Sequence, residues 1–237
     1  LFGRDITFDQ FGKYNLCIRK TLEAVYLNYN GNRLENNFRA LEEYLKHVWF
    51  ASGIYHHYAC DKFSPSFSED FFRNAVSAID AKVLPLREGE SVNSLLNELC
   101  PVIFDPTILP KRVDKADGKD IVRSSACNYY DGVSQNDVEE FYARLKKEGP
   151  KDEAPSYGLN STLVKEGKSI REDVWKVDGK YGSAIQKIVY WLNRAKEFVE
   201  NDQQLHVINL LIRYYETGDL HDFDIYSIEW LHEQEGR

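Results

Sequence analysis

Apolar residues recur at three- and four-residue steps through the first hundred residues and again from Ser183, a period that fits one face of an α-helix. Ile18, Leu22, Val25, Tyr26 and Tyr29 form the first stripe, and Asn30-Gly31-Asn32 supplies a turn that tolerates positive φ. Phe38, Leu41, Leu45 and Val48 form a second stripe, extended by Trp49 and Phe50. Ser68, followed by two acids, predicts the cap of a helix bearing Phe72, Ala75, Val76 and Ile79. Ser91 predicts another, ahead of Val92, Leu95, Leu96 and Leu99, and Pro101 is expected to end that helix.

The middle of the chain breaks this period. Pro101, Pro106 and Pro110 punctuate residues 102–109, which read as loop or edge strand, and residues 120–125 read as a short strand. Ser134-x-x-Asp137 predicts a capping box for a helix with Val138, Phe141, Tyr142 and Leu145, stopped at Gly149. Residues 156–166 and 168–177 flank Gly167 with partial alternation, which predicts a β-hairpin. Beyond Ser183, Asn201-Asp202 is either a corner between two helices or the middle of one, Gly218 ends the run, and Phe223, Tyr226 and Trp230 begin a last short helix. The expected fold is α+β: residues 1–100 helical, 101–180 mixed with a small antiparallel or barrel-like sheet, and 181–237 helical.

Charge and cysteine usage exclude some partners. A net charge of −8 with no dense Lys/Arg run argues against nucleic acid. No apolar stretch approaches the roughly 20 residues that span a bilayer, so no membrane partner is expected. Cys17, Cys60, Cys100 and Cys127 lie far apart without metal spacing, which points to scattered thiols in a reducing, cytoplasmic compartment. The start at Leu1 without Met or an apolar leader, and the abrupt end at Gly236-Arg237, suggest a piece of a longer chain.

No complete catalytic or metal-binding constellation is legible, so no catalytic residue, metal ligand or cofactor is assigned to this chain. On a helix His56 and Cys60 would share one face, as would His57 and Asp61, but two such ligands make half a zinc site. The plainer reading of residues 55–62 is a polar, aromatic turn. A small metalloprotein built on His56, His57 and Cys60 stands as an alternative. His232-Glu233 begins like a zinc-peptidase helix, yet Arg stands where the second His belongs, so it reads as a solvated helix end. Asn128-Tyr129-Tyr130-Asp131-Gly132 follows the expected strand, where loops often bear binding groups. Serine-hydrolase elbows, phosphate loops and dinucleotide glycine signatures are absent.

Four stretches in order carry a family resemblance. The first is Val48-Trp49-Phe50-Ala51-Ser52-Gly53-Ile54-Tyr55-His56-His57-Tyr58, running on to Asp61-Lys62-Phe63-Ser64-Pro65. The second is Ser125-Ala126-Cys127-Asn128-Tyr129-Tyr130-Asp131-Gly132. The third is Ser156-Tyr157-Gly158-Leu159-Asn160-Ser161 with Val174-Trp175-Lys176-Val177. The fourth is Ile188-Val189-Tyr190-Trp191-Leu192, then Tyr215-Glu216-Thr217-Gly218-Asp219-Leu220 and Tyr226-Ser227-Ile228-Glu229-Trp230. Together they resemble dipeptidyl peptidase III in its bacterial form, a two-lobed zinc-dependent exopeptidase, over nearly the whole chain.

The resemblance implies a parent enzyme that releases dipeptides from the N-termini of short peptides. It implies zinc, in the parent only, held in the upper lobe by two His of an HExxGH helix and a Glu of a second helix. It also implies that those elements, the acid that grips the substrate amine and the Asn residues that bind the peptide backbone all lie downstream. On this resemblance residues 1–237 form a single partial domain, a noncatalytic lower lobe that closes over an oligopeptide against the catalytic lobe. His57 and Tyr58 match positions at the cleft edge, although His56 and His57 depart from the family's polar pattern there. Lys62 and Phe63 match a Lys-Phe of structural role. With Asn128, Tyr129 and Tyr130, His57 and Tyr58 make up the expected substrate-cleft residues. A truncated lobe is expected to expose apolar surface and self-associate. The alternative is a free-standing helical binding module without enzymatic activity.

Overall fold

The computed structural model describes residues 2–149 and 156–233. Contacts cluster into two compact units, one of residues 1–6 and 129–237, the other of residues 7–128. Ten α-helices and one three-stranded sheet occur among the described residues, the α+β class that the helical period and mid-chain turns predicted.

In the unit of residues 7–128, the predicted stripes turn inward. Helices α2 (Asn15–Asn28), α3 (Asn36–Ala51), α4 (Glu69–Ser77) and α5 (Val92–Phe104) follow α1 (Phe2–Phe11), within which the unit boundary falls. Ile18, Leu22, Val25, Leu41, Leu45, Val48, Phe72, Leu95 and Leu99 are all buried in one core. Each such side chain contributes about 2 kcal/mol by leaving water. Ser68 and Ser91 cap as expected, accepting from the N–H groups of Phe71 and Ser94, each at 3.1 Å. Helix α1 falls within the expected helical span of residues 1–100, although no apolar stripe marked it. Among its described side chains Phe8 alone is fully buried, too little for a periodic stripe.

Two expectations are corrected here. Helix α5 runs through Pro101 to Phe104 instead of stopping at the proline. Proline inside a helix costs about 3 kcal/mol. Ending the helix there would expose Val102 and Ile103, which are buried, and their combined burial offsets that cost. The other correction concerns residues 120–125, read as a strand. Residues Ile121–Ser124 form a one-turn helix, α6, because the Asp120 carboxylate accepts from the N–H groups of Val122 and Arg123, each at 3.0 Å. That cap satisfies two of the donors a helix start leaves unpaired.

The C-terminus of α3 sets the course of the chain into the turn at residues 55–62. Ser52 adopts the left-handed conformation and Gly53 follows at φ +150°, both N–H groups returning to Val48 O. A Cβ on Gly53 would lie 2.0 Å from Asn15 Nδ2, a buried side chain that cannot move aside cheaply.

In the other unit, β1 (Tyr130–Asp131), α7 (Gln135–Glu148), β2 (Ser161–Glu166) and β3 (Ser169–Val174) are followed by α8 (Gly182–Ala195), α9 (Asp202–Thr217) and α10 (Leu220–His232). The hairpin expected around Gly167 forms, paired from Ser161↔Val174 to Glu166↔Ser169. The sheet is mixed, because β1 joins β2 in parallel through Tyr130↔Leu163. Parallel neighbours need a crossover, which α7 supplies between β1 and β2. The capping box of α7 is complete: Ser134 Oγ accepts from Asp137 N–H, and the Asp137 carboxylate accepts from Ser134 N–H at 2.9 Å. Asn201 Oδ1 caps α9 at 2.8 Å, so Asn201-Asp202 is the corner between two helices. His232 ends α10, and residues 234–237 of the motif-like terminus lie outside the described residues. No helix among the described residues is long and apolar enough to cross a membrane.

Two outcomes are expected. Gly53→Ala should destabilise the unit of residues 7–128 by about 2 kcal/mol or more in denaturant unfolding, since a new Cβ must displace buried Asn15. The Asp137 carboxyl is held down at about 2, first by the Ser134 N–H and then by the Lys165 ammonium. A depressed carboxyl stabilises the folded state above its ordinary pKa near 3.9, and that stabilisation is lost as pH falls toward 2. The α7 unit should therefore lose stability over that window, and Asp137→Asn should remove the dependence in acid titrations followed by circular dichroism.

Candidate cleft residues

The five expected cleft residues fall in different units: His57, Tyr58 and Asn128 in one, Tyr129 and Tyr130 in the other. In the first, residues 55–62 form a tight turn, so His56 and Cys60 share no helix face. Cys60 takes a left-handed φ of 64°, its N–H donates to His56 O at 3.0 Å, and His56 N–H donates to Asp61 O at 2.7 Å. Isolated antiparallel bridges join Tyr55 to Lys62 and Asp61 to Lys111. Cys127 N–H then reaches Arg112 O at 3.1 Å, adding a further extended segment beside Arg112.

This arrangement leaves two side chains standing out. Tyr58 is 87% exposed, and the exposed His57 ring meets it edge-on at 5.0 Å between centroids. Exposed aromatics with a polar edge suit contact with a peptide. Beneath them the turn is tied by Arg112, a residue that no sequence pattern singled out. Its Nη2 donates to His57 O at 3.0 Å and lies 3.7 Å from Cys60 Sγ. Its guanidinium sits over the Phe11 ring at 4.6 Å, a favourable cation–π contact. Buried Tyr55 donates to Leu109 O at 3.0 Å, and burial, with Cys127 nearby, pushes its hydroxyl pKa up. A cavity of about 370 Å³ adjoins the end of the turn, lined by Asp61, Phe63, Pro65, Phe104, Pro106 and Pro110. Asn128 is held inward: its N–H donates to Gln10 O at 2.8 Å and its Nδ2 to Asp9 Oδ2 at 3.2 Å.

His56 Nδ1 already accepts from the N–H groups of Ala59 and Tyr58, at 3.0 and 3.3 Å, and that occupies its lone pair. Among the described residues no three His, Cys, Asp or Glu side chains are grouped so as to hold an ion. All four cysteines are free thiols.

In the second unit, Tyr129 and Tyr130 enter the sheet. Tyr129 O accepts from Leu163 N–H at 2.9 Å, and its ring lies 5.7 Å from that of Trp175. Tyr130 is half-buried in β1. The polar groups nearby belong to a network the sequence did not reveal. Glu172 Oε1 accepts from Ser161 Oγ at 2.7 Å and from Tyr142 OH at 3.3 Å, and burial with the Glu172 charge raises the Tyr142 pKa. Thr162 Oγ1 accepts from Lys180 Nζ at 2.9 Å and from Trp175 Nε1 at 3.3 Å. These partners are 11 or more residues apart, so no local pattern could have paired them.

Residues 120–236 match the family model described as peptidase family M49, the family of dipeptidyl peptidase III. The matched span includes Asn128, Tyr129 and Tyr130, and His57 and Tyr58 lie before it. No curated protein matches the chain. The family match supports a relationship to dipeptidyl peptidase III-like peptidases.

Arg112→Met keeps the length of the side chain and removes the guanidinium. Losing the charged hydrogen bond to His57 O should cost about 1.5–3 kcal/mol, and limited proteolysis should then cut near His57 and Tyr58 faster than in the unsubstituted protein.

Proposed function

We propose that this chain is the noncatalytic, lower-lobe part of a bacterial-type, zinc-dependent peptidase of the dipeptidyl peptidase III kind, an enzyme that releases N-terminal dipeptides from short peptides. The observation that carries the reading is the match of residues 120–236 to peptidase family M49. It covers three of the four stretches that carried the resemblance in full, and the turn with exposed His57 and Tyr58 belongs to the remaining one. In this reading the chain lines the peptide cleft and brings neither zinc nor a catalytic group. We count His57 and Tyr58, with Asn128, as cleft residues of the unit of residues 7–128, and Tyr129 and Tyr130 as cleft residues of the other unit. Closure of the lobe on an oligopeptide would exclude water from chemistry supplied elsewhere.

Six exposed apolar side chains support a place within a larger assembly: Tyr190 and Trp191 on α8, Phe198 after it, and Ile228, Trp230 and Leu231 on α10. The catalytic lobe is the partner we propose for this lobe, and self-association through exposed apolar surface is the outcome when that lobe is absent. The free thiols support a reducing compartment, which we read as the cytoplasm. The second reading, a helical binding module without enzymatic activity, draws on the same exposed aromatics.

The test is a titration of the chain with a short neutral peptide, followed by the fluorescence of its tyrosines and tryptophans. Saturable binding is expected, weakened about two- to twelvefold in Tyr58→Ala, the loss that one aromatic contact of about 0.5–1.5 kcal/mol implies. Equal binding by Tyr58→Ala would remove His57 and Tyr58 from the cleft wall.

A further inference from the structure

Among the described residues the half-buried Lys62 side chain has no acidic partner within ion-pair reach, and it ends among backbone carbonyls. Its Nζ donates to Val102 O at 2.9 Å, to Ile108 O at 2.7 Å and to Asp105 O. Val102 lies in the last turn of α5, where carbonyls lack helical partners and the helix dipole places partial negative charge. The segment that follows, residues 105–109, turns so that two more carbonyls converge on the same point. Three donors on one ammonium meet three acceptors.

The backbone of Lys62 is also part of the cleft turn. Its N–H donates to Pro110 O at 3.0 Å, and it is bridged to Tyr55 across the turn that carries His57 and Tyr58. One residue therefore fixes the end of α5, the segment after it and the base of the turn. We infer that the carbonyls of Val102, Asp105 and Ile108 form a monovalent-cation cradle that the chain fills with its own ammonium, and that Lys62 is thereby the positioning residue of the His57–Tyr58 turn. This goes beyond the peptidase reading, because it concerns what holds the turn, whatever the turn meets. Burial lowers the Lys62 pKa and the Asp105 carboxylate opposes that, in keeping with an ammonium screened from water.

The test uses Lys62→Ala and Lys62→Met with amide hydrogen exchange. In both, the amides of His56, Cys60 and Arg112 should exchange at least about tenfold faster, while those of Leu41 and Leu45 in α3 stay within twofold. Butylammonium chloride should restore protection in Lys62→Ala and not in Lys62→Met, whose side chain fills the channel. Tetramethylammonium, a cation without an N–H donor, should restore neither. Unchanged exchange at the turn, a uniform rise throughout the unit, or equal rescue by tetramethylammonium would overturn the inference. Should Lys62→Ala fail to fold, the unsubstituted protein decides: Lys62 Nζ should give a slowly exchanging ammonium resonance in ¹⁵N spectra at neutral pH, and its absence would overturn the inference equally.

Discussion

Backbone carbonyls turned toward cations hold the most exposed candidate residues in place. Lys62 gathers three carbonyls at the end of α5, and Arg112 takes the carbonyl of His57 while stacking on Phe11. Among the described residues no carboxylate neutralises either cation at contact distance, so the attraction is spent on fixing main chain. A turn with an exposed Tyr and His at its tip would otherwise be among the first parts of a fold to open. Helical packing alone gives α3 and α5 their positions, and these two cations convert those positions into a fixed path for residues 55–62.

The same logic runs through the sheet-bearing unit with different groups. There a half-buried carboxylate, Glu172, collects hydroxyl donors from β2 and α7, and Thr162 collects Lys180 and Trp175. Tyr214 is drawn into that interior as well, its hydroxyl pushed up to about 12 by burial and by Tyr215. Such polar ties favour one packing over its alternatives because an unpaired buried group is costly. Tyr129 and Tyr130 are held through their backbone in the sheet, whereas His57 and Tyr58 are held from below by cations.

What the sequence made legible was whatever obeys a local period or a local cap. The stripes of α2 through α5, the capping box at Ser134 and Asp137, and the hairpin at Gly167 all follow from residues within a few positions of one another. The failures share one cause: a short-range signal outweighed by something at longer range. Pro101 reads as a stop, yet the burial of Val102 and Ile103 carries α5 past it. Residues 120–125 read as β-branched, yet the single Asp120 cap makes them helical. Of the candidate site, the exposed turn was visible as a polar, aromatic run after an apolar helix. Its supports were hidden because Lys62 meets partners 40 to 46 residues away and Arg112 reaches back 55 residues to His57.

The account rests on one claim, that this chain lends walls to a peptidase cleft and leaves the chemistry to other residues. The most direct test assays the chain on a dipeptidyl-arylamide with added zinc, beside the protein translated from the same gene through any HExxGH segment it encodes. The account predicts release of the arylamine by the longer protein alone, abolished by a chelator and restored by zinc. Release by this chain alone, at a rate lost with chelator, would contradict it and send the search for a metal site to His56, His57 and Cys60 or, separately, to the His232-Glu233 end.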